Sequence, residues 1–311
     1  ILVDEIQGNQ IDKKKLVEQV YNALAEDFEE QLISSRLEIK INRQVYQTAV
    51  SSEESDLNRK LEELNRQLLQ YRTTTVSYIF GDTVEVLDNE KICSWLIVSG
   101  DSISVKEEDV VAFVKELSSK YNTMYVPRSF KTSFGEKVII SGNEYGYWID
   151  KDAELQKLLE DIKSGSDVKR EPVYSKQGLR RNGSDDLQGS YIEVSLDKQY
   201  LWLYKNGKLV TETDIISGLP SEGLQTYRGS WPIAYKARPF TLSSDIYGYE
   251  VEVEYWMPFV YGQGLHDADW QDAFGGELYK TKGSHGCINL PKEQAKIIYD
   301  TIEAGYPIII Y

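Results

Sequence analysis

The amino-acid sequence predicts an α+β protein of several domains. Mixed α/β modules are expected to precede a mostly-β domain, a sandwich or barrel with one main helix. Three observations lead to this prediction. The chain has 311 residues, enough for two or three domains. Helical periodicity dominates its first half, and short alternating stretches between turn residues dominate its last third. We predict three segments: residues 1–72, 73–183 and 184–311.

The first segment is predicted to be the C-terminal part of a truncated module followed by a connecting helix. Apolar residues at spacing four predict a helix that begins behind Asp12: Leu16, Val20, Leu24 and Phe28. Residues 37–41 alternate apolar and charged side chains, which indicates a half-buried strand. Ser51 and Glu54 form a capping box for the connecting helix. Its apolar seam consists of Leu57, Leu61, Leu64 and Leu68.

The second segment is predicted to be a mixed α/β module. Residues 76–80 and 92–98 are rich in β-branched and aromatic side chains, so both are predicted strands. Helical spacing predicts helices over residues 106–121 and 152–163, the second ended by Gly165. Cys93 lies inside an apolar stretch, so we expect it to be a buried structural thiol.

The third segment is predicted to be mostly β-structure behind a polar, glycine-rich linker at residues 176–189. Asn206-Gly207 stands where a two-residue type I′ turn joins two strands. One helix is predicted over residues 292–304, with Gly305 as its cap. The strands are predicted at residues 191–196, 201–204, 210–216, 231–236, 251–256 and 308–310.

Composition excludes several classes of function. The 35 basic and 50 acidic side chains give a formal net charge of −15, which disfavours binding to nucleic acid or anionic lipid. No stretch reaches the roughly 18 apolar residues of a membrane span. The chain begins Ile1-Leu2-Val3 without a basic-then-apolar leader, so we expect a fragment whose targeting segment lies upstream.

The two cysteines and two histidines are the most informative residues. Three of these four fall within the 22 positions from His266 to Cys287. Two cysteines cannot form a disulfide framework or a four-cysteine zinc site. The clustering of Cys287 with both histidines therefore indicates a chemical site.

The segment GSHGCIN around Cys287 contains the groups of a thiol nucleophile. In an extended chain His285 and Cys287 project from one face, which would place an imidazole beside the thiol and favour the thiolate. Gly286 allows close backbone approach, and the amides of Gly286 and Cys287 are candidate oxyanion donors. Asn289 lies on the same face and is a candidate for orienting an imidazole or binding a substrate carbonyl. His266 is expected to fold back over this strand.

Two other interpretations of the cluster stay open. His266, His285 and Cys287 with Asp267 or Asp269 are zinc-type ligands, although they lack the spacing of a known zinc motif. The same residues are also compatible with purely structural roles. Both histidines precede the cysteine, an order that argues against a papain-type enzyme.

The motif in residues 284–289, with His266 upstream, resembles the signature of the L,D-transpeptidase catalytic domain family of bacterial cell walls, of the enterococcal type. The similarity runs from residue 191 to the end. The preceding α/β unit resembles the peptidoglycan-binding modules found ahead of such domains. The resemblance implies a secreted or membrane-anchored protein at the cell wall, with its anchor upstream of this chain.

The resemblance also implies a reaction. Cys287 would be the nucleophile and His266 the general acid/base. Ser284 would orient His266, with Gly286 and a supporting electrostatic His285 completing the catalytic motif. The donor is a tetrapeptide stem that loses D-Ala, and the acceptor is a stem amine that receives a 3→3 cross-link. The residues expected to bind substrate are Asn289, Asp267, Trp270, Tyr255 and Trp256.

The family is acylated by carbapenems and needs no cofactor or metal, and we expect a monomer. Two alternatives remain at this level. An L,D-carboxypeptidase would use the same thioester and release it to water. A non-catalytic wall-binding protein would carry the cysteine incidentally.

Overall fold

The structure is a computed structural model that describes residues 13–26, 39 and 56–311. Contacts within the chain divide it into two compact units, residues 1–119 with 150–173, and residues 120–149 with 174–311. These units are defined by contacts and do not test the three modules predicted at residues 1–72, 73–183 and 184–311. The boundaries of those modules therefore stay a prediction. Some predicted features lie outside the described residues: Asp12, Phe28, the strand at 37–41 apart from Ile39, the capping box of Ser51 and Glu54, and the Leu57 side chain.

The first unit contains helices and two small sheets. The helices are α1 (Lys13–Glu26), α2 (Asp56–Arg72), α3 (Asn89–Ser94), α4 (Glu107–Tyr121) and α5 (Lys151–Ser164). The strands are β1 (Val76–Phe80), β2 (Thr83–Leu87), β3 (Leu96–Ser99), β4 (Ser102–Val105) and β8 (Val168–Arg170). Strand β1 pairs antiparallel with β2 and parallel with β8, and β3 pairs with β4.

The helices of this unit follow the predicted periodicity. The apolar positions predicted for α1 and α2 are buried at Leu16, Val20, Leu24, Leu64 and Leu68, whereas Leu61 is half-buried. Helix α4 likewise buries Val110, Val114 and Leu117 at helical spacing. Asp150 caps α5 by accepting the Ala153 N–H at 3.1 Å. The helix ends at Gly165, whose φ of +69° is a conformation that favours glycine.

The predicted strand over residues 92–98 is wrong in its first half. The chain forms α3 there and enters β3 only at Leu96. Asp88 starts the helix, because its side chain accepts the Lys91 N–H at 2.8 Å. The helix buries Ile92 and Cys93, as a strand would have done. A short apolar stretch like this one is compatible with a helix or a strand. Cys93 is buried, as predicted, but on a helix.

The second unit contains a larger sheet of five strands, a smaller sheet of three strands, three two-stranded sheets and the main helix. Its strands are β5 (Arg128–Lys131), β6 (Lys137–Ile140), β7 (Trp148–Ile149), β9 (Tyr174–Lys176), β10 (Tyr191–Ser195), β11 (Tyr200–Lys205), β12 (Lys208–Asp214), β13 (Gly229–Pro232), β14 (Phe240–Ser244), β15 (Tyr249–Val253), β16 (Trp256–Val260), β17 (Gln263–Asp267), β18 (Ile288–Leu290) and β19 (Pro307–Ile310). Its helices are α6 (Tyr279–Lys282) and α7 (Lys292–Thr301). The larger sheet has the order β12-β11-β10-β19-β13, and the smaller has the order β16-β17-β18. The two-stranded sheets are β5-β6, β7-β9 and β14-β15.

A large apolar cluster forms the main core of this unit, and a smaller one packs around Phe130, Ile140 and Ile309. Side chains of β10, β11 and β19 meet those of β16, β17, β18 and α7 in a single buried cluster. Ile192, Leu203 and Leu265 are among its fully buried members. Burial on this scale is the main source of stability for a domain that has no disulfide among its described residues. The predicted α+β class is confirmed, with sheets that stay open.

Two positive-φ turns set the strand pairing. Asn206 and Gly207 have φ of +51° and +75°, which confirms the predicted hairpin turn between β11 and β12. Tyr261 and Gly262, with φ of +43° and +79°, make the corresponding turn between β16 and β17. This second turn was not predicted, and it places β17 at the centre of the smaller sheet.

Two predicted strands are shorter or divided. The strand at 231–236 ends at Pro232, after which the Ile233 and Ala234 N–H groups bond to Tyr306 and Pro258 outside the ladder. The strand at 251–256 is interrupted at Glu254 and Tyr255. The Asp267 carboxylate accepts both of their backbone N–H groups, so the chain changes sheets at this point.

The stretch predicted as a linker is packed into the second unit. Asp186 is fully buried and accepts two hydrogen bonds from Arg128, at 2.6 and 2.8 Å. Buried Glu193 on β10 accepts the Ser133 N–H at 2.8 Å and its hydroxyl at 2.6 Å, which fixes the β5–β6 hairpin to the larger sheet.

Among the described helices, none is both long and apolar enough to cross a membrane.

Candidate active site

Parallel pairing of β17 and β18 brings together residues that are far apart in sequence. The register sets Leu265 opposite Ile288 and His266 opposite Asn289. Cys287 immediately precedes β18, two residues before Asn289. Residues two apart on a strand share a face, so His266 and Asn289 stand on the side from which Cys287 projects.

These side chains line one cavity of about 250 Å³. Of the predicted site residues, the structure brings Cys287, His266, His285, Ser284, Asn289 and Trp270 to its wall. The other wall residues are Leu242, Tyr249, Val251, Gln271, Lys282 and Gly283. The cavity thus contains the predicted nucleophile and both predicted imidazoles.

His266 is held in one orientation by its own chain. Its Nδ1 lies 2.9 Å from the Asp267 carbonyl oxygen, and a carbonyl only accepts, so Nδ1 carries the proton. In a neutral imidazole this leaves Nε2 as a free base. Burial lowers the pKa of His266, and it outweighs the raising effects of the Asp267 carbonyl and carboxylate. The ring is therefore a neutral base at pH 7.

Cys287 is a protonated thiol at rest. Burial raises the pKa of Cys287 to about 11, against a smaller lowering by a hydrogen bond with the Gly264 backbone. Its Sγ lies 3.9 Å from the Gly262 carbonyl oxygen. Burial therefore acts against the thiolate that the sequence led us to expect, because the charged sulfur loses its solvation.

Ser284 organises the turn that leads to Cys287. Its Oγ donates to the Cys287 carbonyl at 2.6 Å and accepts the Gly286 N–H at 3.0 Å. The sequence predicted that Ser284 orients His266, but the described residues show no hydrogen bond between the two, and His266 Nδ1 bonds to the Asp267 carbonyl instead. The Gly286 N–H is also committed to Ser284, so Gly286 is not the free oxyanion donor that the sequence predicted.

Gly286 occupies a position that only glycine fits. Its φ of +116° is in the region that other residues avoid, and an added Cβ would lie 2.2 Å from Gln263 Nε2. Thr226 holds the same turn, because its Oγ1 donates to the Gly286 carbonyl at 2.8 Å and accepts the Gly218 N–H at 3.0 Å. The turn replaces the extended strand expected at residues 285–287.

His285 lies at the mouth of the cavity. It is exposed, and its ring packs against Tyr249 at 5.1 Å and Tyr247 at 4.5 Å between centroids. The two tyrosines belong to the β14–β15 hairpin. His285 therefore connects the turn at residues 284–287 to that hairpin.

Three predicted substrate residues lie behind the cavity wall. The Asp267 carboxylate is buried on the N–H groups of Tyr255 and Glu254, at 2.7 and 3.2 Å. Tyr255 is itself part of the apolar core. Trp256 is buried and stacks on Phe240, and its ring centroid lies 6.0 Å from that of His266. These residues support the site from behind.

Trp270 and Asn289 differ from these three, because both reach the cavity. Trp270 is 48% exposed, with its ring centroid 5.8 Å from that of His266. Asn289 is buried, and its Oδ1 has no hydrogen-bond partner among the described residues. An acceptor in this position is available to a substrate N–H.

Several residues of the site were not found from the sequence. Tyr249 and Val251 alternate on β15, a pattern that shows a shared face but not which surface it covers. Lys282 and Thr226 are single residues in loops or short helices, where no periodicity identifies them. Within the described part of the chain, no group of three or more His, Cys, Asp and Glu side chains is arranged to hold a metal ion.

Comparison with known proteins identifies two regions of the chain. Residues 189–310 match the family model of the L,D-transpeptidase catalytic domain. Residues 97–169 match that of a peptidoglycan binding domain. No curated protein matches the sequence.

Three solved structures are similar to this chain. The avibactam carbamoyl enzyme of Ldtfm has 33% sequence identity and a TM-score of 0.68, with 82% of this chain and 98% of that chain covered. A cysteine-to-serine mutant of Enterococcus faecium L,D-transpeptidase has 32% identity and a TM-score of 0.68, covering 81% and 100%. The ertapenem-acylated catalytic domain from E. faecium L,D-transpeptidase has 42% identity and a TM-score of 0.36, covering 40% and 98%.

Proposed function

Since this chain belongs to the L,D-transpeptidase family, we propose that it forms 3→3 cross-links in peptidoglycan with Cys287 as its nucleophile. Cys287 would take the acyl group of residue three from a donor tetrapeptide stem and release D-Ala. An acceptor stem amine then receives the acyl group. The observation that carries this proposal is the common cavity of Cys287 and a His266 whose Nε2 is free.

The first half-reaction forms a thioester. As the donor carbonyl approaches, the Cys287 Sγ–H proton passes to His266 Nε2, and the thiolate attacks the carbonyl between residues three and four. The Cys287 N–H is the donor we assign to the oxyanion, because the Gly286 N–H is bound to Ser284. The tetrahedral intermediate expels the D-Ala nitrogen, which takes the proton from the His266 imidazolium.

The second half-reaction uses the same groups in reverse. The acceptor amine gives a proton to His266 as it attacks the thioester carbonyl. Collapse of this intermediate releases Cys287 as a thiolate, and the thiolate recovers the proton from His266. Ser284 and Gly286 keep the nucleophile turn in place throughout, and His285 borders the entrance. Asn289 and Trp270 are the cavity residues we assign to the substrate.

Water and an amine compete for the same thioester, so products distinguish the transpeptidase from an L,D-carboxypeptidase. Purified disaccharide-tetrapeptide is incubated with the protein, and the products are weighed. A dimer lacking one D-Ala supports the transpeptidase. Tripeptide alone supports hydrolysis, and unchanged tetrapeptide contradicts both.

A covalent inhibitor tests whether the cysteine is catalytic at all. The similar Ldtfm structure is described as an avibactam carbamoyl enzyme. We expect avibactam and meropenem each to add one equivalent to this protein, with the adduct lost in Cys287→Ala. A folded protein without adduct would support a wall-binding role with an incidental cysteine.

The region ahead of the catalytic domain supports a location of the protein at the cell wall. A peptidoglycan binding domain at residues 97–169 indicates association with the cell wall. We propose an extracytoplasmic monomer with a membrane anchor upstream, in which this domain holds the polymer near Cys287. Pull-down on purified sacculi by residues 56–311, compared with residues 184–311, measures that contribution.

A further inference from the structure

The charge of the cavity differs from that of the whole chain. The protein has 50 acidic and 35 basic side chains, yet the described residues that line the cavity include no Asp or Glu. Lys282 is the lysine at its wall, beside two histidines. Complementary charge in a cleft selects ligands of the opposite sign. An anionic group of the substrate is therefore expected here.

Nearby carboxylates are turned away or already paired. Glu250 and Glu252 alternate on β15 with Tyr249 and Val251, so they lie on the outer face, exposed to solvent. Asp269 pairs with Lys292 at 2.7 Å. The Asp267 carboxylate is buried on backbone N–H groups. None of these carboxylates neutralises the cavity.

Lys282 is available as a cation. It is the last residue of α6, and its backbone carbonyl accepts a hydrogen bond from Gln271 Nε2 at 3.4 Å, which fixes its place on the cavity wall. Among the described residues no carboxylate lies within ion-pair distance of its ammonium. Lys280, on the same helix, pairs with Glu277 at 2.6 Å and does not line the cavity. The two lysines thus differ in their surroundings.

We propose that Lys282 binds the free C-terminal carboxylate of the donor stem, an inference that rests on the proposed function. In a tetrapeptide donor this carboxylate belongs to the departing D-Ala, one carbon away from the scissile nitrogen. An ammonium with three donors recognises such a group by charge and hydrogen bonding. Binding it aligns the last peptide bond with Cys287 and selects stems that end at residue four.

The consequence is a preference at the end of the donor. A stem that continues to a fifth residue, or that ends in an amide, presents no carboxylate at this position. A site built for a charged partner rejects a substrate that lacks it. Lys282 is thus a specificity residue that acts on the leaving group.

The test combines two donors with four proteins. The donors are a tetrapeptide stem with a free terminal carboxylate and the same peptide as its terminal carboxamide, and both give the same thioester on Cys287. Wild type, Lys282→Met, Lys282→Arg and the matched control Lys280→Met are compared by intact-mass time courses. Loss of a hydrogen-bonded charge pair corresponds to a roughly tenfold to 100-fold lower kcat/KM.

We expect wild type and Lys280→Met to prefer the free acid by roughly tenfold or more. Lys282→Met should lose that preference by slowing only on the acid, while Lys282→Arg should regain part of it. A Lys282→Met protein that keeps the wild-type acid-to-amide ratio overturns the proposal and leaves the transpeptidase intact. Wild type that reacts with neither donor refutes the proposed function, and the role of Lys282 with it.

Discussion

The protonation state of Cys287 gives the most quantitative prediction about this site. Burial raises the pKa of Cys287 from an ordinary 9.0 to about 11. Two pH units correspond to a factor of about 100 in the thiolate fraction. At pH 7 about one molecule in 10,000 then carries the thiolate, compared with about one in 100 for an ordinary thiol. Since alkylating reagents attack the thiolate, Cys287 should react about 100-fold more slowly than a free thiol.

Iodoacetamide alkylation followed over pH 6 to 10 measures this directly. We expect the rate at Cys287 to rise about tenfold with each pH unit and to show no plateau. Peptide mapping separates Cys287 from Cys93, which is buried and whose pKa burial also raises to about 11. Cys287→Ala supplies the background, and a small-molecule thiol supplies the reference rate.

A fast plateau around neutral pH would refute the reasoning. It would mean that Cys287 rests as a thiolate beside a protonated His266, in spite of the burial that lowers the pKa of His266. The His266→Ala variant is a second check. A neutral imidazole adds little to the resting thiol, so its alkylation profile should stay within about threefold of wild type.

Three substitutions test the supporting geometry. His266→Ala should slow acylation by about 10² to 10⁴-fold in intact-mass time courses while leaving the melting temperature near wild type; a wild-type rate would show that the base is misassigned. Gly286→Ala places a Cβ 2.2 Å from Gln263 Nε2 at a φ of +116°, so we expect the free energy of unfolding to fall by about 1–3 kcal/mol in thermal unfolding. An unchanged melting temperature would contradict this strain. Asp267→Asn turns an amide nitrogen toward backbone donors and should lower the free energy of unfolding by about 1–3 kcal/mol in the same assay, whereas the exposed control Asp272→Asn should leave it unchanged. Equal stabilities of the two variants would show that the buried carboxylate does not stabilise the fold.

Parts of the fold were predictable because local chemistry determines them. Asn206-Gly207 forms the expected turn, since few residue pairs accept positive φ at both positions. Helices α4 and α5 follow their apolar spacing, and Gly165 ends α5. Scarcity drew attention to Cys287 and His266, because two histidines and two cysteines leave few places for such chemistry, and the structure brings both to one cavity.

Other features depend on contacts that a sequence does not display. Which atom orients His266 is decided by its own neighbour's carbonyl, and Ser284 is occupied by the turn it stabilises. The resting state of Cys287 depends on burial by chain segments distant in sequence. The residues at 92–98 show the limit of periodicity, since a short apolar stretch fits a helix or a strand.

The central claim is that the Cys287 sulfur receives the stem acyl group, and an acid-quenched mass spectrum tests it most directly. After brief mixing with disaccharide-tetrapeptide, the protein should gain the mass of the donor minus D-Ala. Peptide mapping should place that gain on Cys287, and Cys287→Ala should show none. A folded wild-type protein without the adduct, or an adduct that survives in Cys287→Ala, would contradict the claim.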